Sequence, residues 1–220
     1  MQGSRSSFLI LVIAGVLVLA GSAFATSTVN MNFIGPGGNN AGGVYTFPYN
    51  FSINGSSTTT ALICDTFDNQ IWSGETWTAT VTSLLSGQGL FGTSTLDYKA
   101  AGLIFASILN GTLNANSGNW AIWGLFSQNP QSNSFFQSSG AAAIESQYLA
   151  LAANTPNSAF KGFYLYTPVD GSQSKGGMPQ EFIGYNPHMA TVPEPGSLAL
   201  LGTGLTGLAG LFRKRFLKSR

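Results

Sequence analysis

Two uncharged apolar runs lie near the ends of this 220-residue chain and divide it into three parts. The second run, Ser197 to Phe212, spans 16 residues and is followed by five cations. As a helix it would be about 24 Å long, against a bilayer core of about 30 Å, and flanking basic side chains can snorkel to extend it. Because a cationic flank favours the cytoplasmic side, we expect a transmembrane helix at 197–212 and a basic cytoplasmic tail at 213–220.

The first apolar run has the features of a secretory signal peptide. Arg5 precedes it, the run itself extends from Phe8 to Ala20, and Ala23-Phe24-Ala25 supplies the small residues of a cleavage site. Thirteen apolar residues are few for a membrane span. The sequence therefore predicts a signal peptide at 1–25, with the mature chain starting near Thr26.

A short proline-containing segment precedes the second apolar run. Pro193 and Pro195 fix their own backbone angles, and each holds the residue before it, Val192 or Glu194, in an extended conformation. We interpret these four residues as a sorting motif and the three basic residues after the run as a membrane stop: Arg213, Lys214 and Arg215.

Over residues 192–215 this order resembles the PEP-CTERM sorting signal of Gram-negative bacteria. The resemblance implies processing by an exosortase-type membrane protease or transpeptidase. It also implies a location: an intermediate tethered in the inner membrane, then the cell surface or the extracellular matrix of a Gram-negative bacterium.

The middle of the chain is slightly acidic and rich in aromatic residues. Residues 26–190 carry three lysines against seven acidic residues, a balance that argues against nucleic acid as a partner. Aromatic residues among abundant Gly, Ser, Thr and Asn indicate a β-rich surface domain rather than a disordered one. Cys64 is the single cysteine, so no internal disulfide can form.

Hydrophobic periodicity predicts one α+β domain at 26–185, a sandwich-like or barrel-like fold with an inserted helical segment, followed by a linker at 186–196. Pro48 is expected to place its strand at a sheet edge. Ser94 with Asp97 resembles a capping box, Gly111 a helix stop, and Asn119 an N-cap. The predicted strands are Thr28–Ile34, Val44–Ile53, Thr58–Cys64, Glu75–Leu84, Phe160–Thr167 and Gln180–Tyr185, and the predicted helices are Leu96–Asn110, Trp120–Gln128 and Gly140–Ala153.

The residues that catalysis or metal binding would need do not form a recognisable set. His188, the single histidine, lies in the linker and is interpreted as a solvated residue. Asp65, Asp68 and Asn69 lack the EF-hand pattern and fit a turn better than a calcium site. Three glutamates could pair as hydrolase carboxylates, but their spacing does not indicate it: Glu75, Glu145 and Glu181. We expect no enzyme activity, no catalytic or metal-binding residues and no cofactor.

One constellation points to a specific chemistry. Three segments in this order resemble the thioester domains of bacterial surface adhesins over roughly residues 44–185: Leu62-Ile63-Cys64-Asp65, then Tyr98-Lys99-Ala100-Ala101-Gly102-Leu103-Ile104, then Asn119-Trp120-Ala121-Ile122-Trp123. That resemblance implies that Cys64 would attack a side-chain amide, release ammonia and leave an acyl donor for a surface amine. Here Asn119 stands where the family has glutamine. Asparagine is one methylene shorter than glutamine, which places the amide carbon about 1.5 Å further from the sulfur.

Three functions follow from these observations. The first is a structural or adhesive protein of the envelope or extracellular matrix, with a polysaccharide or another surface ligand as its partner. The second is a covalent adhesin that uses Cys64 and Asn119. The third is a carbohydrate-binding module with four candidate aromatic residues: Tyr45, Trp72, Trp77 and Tyr164.

Overall fold

A closed antiparallel barrel forms the centre of the domain. The computed structural model describes residues 27–169 and 171–188, within a compact unit that extends from Thr26 to Ala190. The strands of this unit, inside and outside the barrel, are β1 (Ser27–Pro36), β2 (Asn40–Ala41), β3 (Val44–Tyr45), β4 (Tyr49–Ile53), β5 (Thr60–Cys64), β6 (Thr76–Ser83), β7 (Phe163–Pro168) and β8 (Phe182–Tyr185). The barrel order is β1-β4-β5-β8-β7-β6, with β6 paired to β1, while β2 and β3 form a separate hairpin.

Four helices are inserted between β6 and β7 and cover one side of the barrel. They are α1 (Thr95–Leu109), α2 (Ala115–Phe126), α3 (Ser134–Ser138) and α4 (Ala141–Asn154). Phe105 of α1 packs edge-on against Phe163 of β7, with ring centroids 6.3 Å apart. Every residue of β7 is buried, because one face of this strand points into the barrel and the helical layer covers the other.

Aromatic side chains fill the barrel interior. Phe51 of β4 packs edge-on against Phe182 of β8 at 4.7 Å and against Trp77 of β6 at 5.8 Å. Gly184 of β8 has no space for a side chain, since a Cβ there would come 2.7 Å from Leu62 Cδ2 and 2.8 Å from the Tyr166 ring. The predicted alternation of β6 is confirmed: Trp77, Ala79 and Val81 are buried.

The strand directions give the barrel two different ends. At one end, which we call the base, β1 begins and β8 ends, as the pairings Ser27 with Val81 and Phe163 with Tyr185 show. At the opposite end, which we call the loop end, three long connections lie together: 37–48, 65–75 and 169–181. Both ends of the described chain therefore leave the barrel at the base.

The prediction of a mixed helix and strand fold is confirmed, and the sheet is a barrel rather than a sandwich. The single strand predicted at Val44–Ile53 is wrong, because the chain turns at a cis Phe47–Pro48 bond. Tyr45 is 51% exposed, whereas Tyr49 and Phe51 face the core. The edge position predicted from Pro48 is also wrong: Pro48 precedes β4, and β4 pairs with strands on both sides.

Two predicted helix starts are corrected as well. The helix predicted from Trp120 begins at Ala115, and Asn114 caps it by accepting hydrogen bonds from Asn116 N and Ser117 N. Asn119 therefore lies inside α2 and is not an N-cap. At α1, Ser94 makes no side-chain hydrogen bond to the backbone of the first turn. The predicted stop at Gly111 is confirmed by its left-handed φ of 76° and its bond to Ile108 O.

The calls on both ends of the chain fall outside the described residues. These are the signal helix at 1–25, the motif at Val192–Pro195, the transmembrane helix at 197–212 and the basic stop. Among residues 27–169 and 171–188, no helix has the length and apolar character that a membrane crossing requires.

Candidate functional site

The structure brings Cys64 and Asn119 into direct contact. Cys64 is the last residue of β5, and Asn119 lies in the second turn of α2, where the helix crosses the loop end of the barrel. Asn119 Nδ2 donates a hydrogen bond of 2.9 Å to the backbone oxygen of Cys64. Both residues are fully buried. Cys64 and Asn119, which the sequence analysis pairs, are therefore neighbours in the folded domain.

Asn119 also holds the chain before β4. Its Oδ1 accepts a 2.8 Å hydrogen bond from Phe47 N. One helical turn earlier, Asn116 Oδ1 accepts a 2.6 Å bond from the Thr46 hydroxyl. Both polar atoms of the Asn119 amide therefore have backbone partners. In this arrangement Asn119 joins α2, β5 and the 37–48 connection without any covalent bond.

The Cys64 thiol has the character of a buried, neutral group. Its Sγ donates to Thr66 O at 3.3 Å, and the Trp123 indole nitrogen lies beside it. Burial raises the pKa of the Cys64 thiol well above its ordinary value, and the neighbouring Asp65 raises it further. Because the thiolate is the nucleophilic form, the folded environment disfavours attack by this sulfur.

A buried pair of carboxyl groups adjoins this contact, between the barrel and α1. Glu181, just before β8, accepts hydrogen bonds from Leu90 N at 2.9 Å, from the Tyr98 hydroxyl at 2.6 Å and from the Thr167 hydroxyl. Three donors from three different segments therefore fix the position of this side chain. Asp65, also fully buried, accepts from the Thr66 hydroxyl through Oδ1.

Asp65 is the member of this pair whose pKa is raised. Its Oδ2 has no donor within reach among the described residues, yet the group lies in hydrogen-bonding contact with Glu181. Two carboxyl groups can share a hydrogen bond only when one of them is protonated. Burial, and then the adjacent Glu181, raises the pKa of Asp65 well above its ordinary range. A neutral Asp65 that donates to the Glu181 carboxylate satisfies both groups.

The remaining predicted polar residues do not converge on one point. Asp68 is exposed and accepts from Asn129 Nδ2, whereas Asn69 Nδ2 donates to Pro179 O. His188 is exposed, and its backbone N–H bonds to Asn186 Oδ1. The three glutamates occupy separate places: Glu75 in the 65–75 connection, Glu145 on α4 and Glu181 beside β8.

No metal-binding cluster is present in the described ranges: nowhere do three or more His, Cys, Asp or Glu side chains gather in a way that could hold an ion.

The four candidate aromatic residues divide into two classes. Trp77 points into the barrel and is 5% exposed, and Tyr164 of β7 is 9% exposed. Neither can stack on a ligand in solution. Tyr45 and Trp72 are 51% and 40% exposed, and both lie in connections at the loop end of the barrel.

Sequence reasoning missed the partners that complete these sites. Asn116 was not singled out, although its spacing of three residues from Asn119 on a helix places both side chains on one face. The roles of Tyr98 and Thr167 as donors to Glu181 had no signal in the sequence, because they depend on how β7, β8 and α1 pack.

Comparison with known proteins identifies the tail alone. Residues 191–215 match the PEP-CTERM protein-sorting motif. This motif implies export of the chain, sorting to the surface or the extracellular space, and processing by an exosortase, which is a membrane enzyme. No curated protein and no solved structure gives a significant match to the chain.

Proposed function

We propose that this chain is a non-enzymatic protein of the bacterial envelope or extracellular matrix, with a structural or adhesive role. The match at residues 191–215 to a sorting motif carries this proposal. Under this proposal, the N-terminal segment 1–25 directs export, and the apolar run at 197–212 holds the chain in the inner membrane of a Gram-negative cell. An exosortase then processes the chain near Pro193-Glu194-Pro195.

The character of the domain supports a role without turnover. Its most chemically suggestive residues are buried and hydrogen-bonded: Asn119 through both amide atoms, Glu181 through three donors, and Cys64 as a neutral thiol. A substrate has no direct access to such groups. The surface therefore supplies the contacts that a structural or adhesive protein makes.

Deletion of residues 192–220 tests the sorting step. An epitope-tagged full chain, expressed in a cell that has an exosortase, should be accessible to protease added outside intact cells. The deleted chain should lose that accessibility and collect in the periplasm or the medium. His188→Ala, which changes the linker and leaves the motif intact, is the matched control and should be sorted normally. Equal surface exposure of the deleted chain would refute the proposal.

A second candidate function is covalent capture through a bond between Cys64 and Asn119. The observation that favours it is the contact between the two residues, with Asn119 Nδ2 2.9 Å from Cys64 O. The reaction would form a bond from Cys64 Sγ to Asn119 Cγ and release Nδ2 as ammonia, with the thiol proton leaving on it. It would also remove the donor that now bonds to Cys64 O.

Intact-mass measurement of the exported chain separates the two candidates. Covalent capture requires a mass about 17 Da below that of the processed sequence, the mass of the lost ammonia. The non-covalent arrangement requires the full mass, together with a thiol that reacts with iodoacetamide only after denaturation. Cys64→Ala supplies the control for alkylation elsewhere in the chain.

A further inference from the structure

The loop end of the barrel carries an exposed tryptophan on a rigid polar support. Trp72 lies in the 65–75 connection, and the six-membered ring of its indole packs over Gly176 of the 169–181 connection. A Cβ at Gly176 would come 2.8 Å from Trp72 Cζ3. Trp72 as a whole residue is still 40% exposed to solvent.

Hydrogen bonds between the two connections hold this support in one conformation. Glu75 accepts from Trp72 N at 2.8 Å through one carboxylate oxygen and from Lys175 N at 2.7 Å through the other. The Ser174 hydroxyl donates to Gln70 O at 2.9 Å. Gln180 Nε2, which is buried, donates to Asn69 O at 2.7 Å. Trp72 is thus pre-positioned, and a ligand would not have to order it on binding.

The groups around Trp72 suit a polyhydroxylated ligand, and the acidic balance of residues 26–190 disfavours a ligand with negative charge. Gln70, Ser73 and Lys175 are exposed and present an amide, a hydroxyl and an ammonium group as hydrogen-bonding partners. The negative face of an indole attracts the C–H hydrogens on the flat side of a sugar ring. A protein partner would need a contiguous apolar centre, and the other exposed large apolar residues of this end lie on three different segments: Ile34 on β1, Tyr45 on β3 and Met178 in the 169–181 connection.

From these observations we propose that the surface formed by Trp72, Gln70, Ser73 and Lys175, the Trp72 surface, binds a neutral polysaccharide. This proposal deepens the proposed function and rests on it for access to extracellular glycans. The topology agrees with such a role. The chain leaves β8 at the base, so attachment through the C-terminal tail leaves the Trp72 surface on the opposite end of the barrel.

Affinity electrophoresis of the purified full chain in mild detergent tests this surface. The gels contain laminarin, soluble starch, hydroxyethyl cellulose or dextran as neutral probes, or alginate as an acidic one. At least one neutral probe should retard the wild-type chain. Trp72→Ala should weaken the apparent affinity about tenfold or more, the effect of removing an aromatic anchor. Trp72→Tyr, which keeps an aromatic face, should retain most of it. Leu151→Ala, at a residue 49% exposed on α4, is the matched control and should behave as wild type.

Three results would overturn the proposal: no retardation by any neutral probe, retardation by alginate alone, or equal retardation of wild type and Trp72→Ala. Sedimentation of the same samples without glycan tests whether a second copy of the chain occupies the Trp72 surface instead. Self-association that Trp72→Ala abolishes would mean that a second copy of the chain occupies the surface. These measurements use purified protein, so a failure of sorting in cells does not affect them.

Discussion

At the scale of single residues, the raised pKa of Asp65 links stability to pH. The pKa of Asp65 is raised in the folded chain, so folding binds a proton that the unfolded chain releases above about pH 4. The stabilisation is complete below that pH and is lost as pH rises toward the folded pKa. The groups that face Asp65 are Glu181, Cys64 and Tyr98. Burial raises the pKa of both Cys64 and Tyr98, so these two remain neutral at neutral pH.

Asp65→Asn should remove this dependence, because the amide needs no proton to donate to Glu181. Between pH 5 and pH 8, the unfolding free energy of wild type should fall relative to that of the variant, by up to about 1.4 kcal/mol per pH unit. Urea denaturation at several pH values measures this difference. Asp68→Asn, at an exposed carboxylate, should follow wild type. Parallel curves for wild type and Asp65→Asn would show that Asp65 is ionised in the folded chain.

Asn119 should be important for stability even though it forms no covalent bond. Asn119→Ala would leave Phe47 N and Cys64 O buried without their partners. Two such losses should lower the free energy of unfolding by about 2–4 kcal/mol. Asn154→Ala, at the exposed end of α4, should change it by less than about 0.5 kcal/mol. Similar denaturation midpoints for the two variants would contradict the bridging role of Asn119.

The sequence predicted that Cys64 and Asn119 are neighbours but not what they do there. The prediction rested on the order along the chain of the two apolar segments that contain them. The hydrogen bonds of Asn119 depend on backbone atoms at Phe47 and Cys64. No side-chain pattern encodes the position of a backbone atom in another element.

At the scale of elements, the first two inserted helices, α1 and α2, differ in how they start. Asn114 caps α2 with two side-chain hydrogen bonds, whereas Ser94 makes none to the backbone of α1. Asn114→Ala should therefore cost about 1 kcal/mol of stability, and Ser94→Ala should cost much less. Thermal or urea unfolding of both variants shows which of the two loses more stability. A larger loss of stability for Ser94→Ala than for Asn114→Ala would support the capping box that the sequence predicts at Ser94.

Elements with regular alternation were predictable, and those shaped by packing were not. β6 alternates threonine with apolar residues, and its buried face follows that pattern. Val44 to Ile53 alternates equally well, yet Tyr45 is exposed and the chain turns before Tyr49. The hairpin of β2 and β3 is held against α2 by Trp120 Nε1, which donates to Ala41 O at 3.2 Å. Long-range contacts of this kind override a local period of two.

At the scale of the whole molecule, the chain combines a domain that closes on itself with a tail that matches a sorting motif. The barrel has no free edge strand, so its own backbone gives another chain no edge to pair with. Recognition of a partner by the barrel then depends on its side chains, whereas the β2–β3 hairpin lies outside the barrel. The tail carries the information on destination in residues 191–215.

If that division of roles is correct, the tail should act on any domain. A monomeric fluorescent or enzymatic reporter joined to residues 1–25 at its start and 186–220 at its end should reach the cell surface of a host with an exosortase. Replacement of Arg213, Lys214 and Arg215 by glutamine should reduce that delivery, because the cationic flank orients the apolar segment. The reporter with residues 1–25 alone should be exported and not displayed. Surface labelling with an antibody that does not cross membranes measures each case. Display of the reporter with residues 1–25 alone would mean that the tail does not direct sorting. No display with both segments would mean that the barrel itself takes part in sorting.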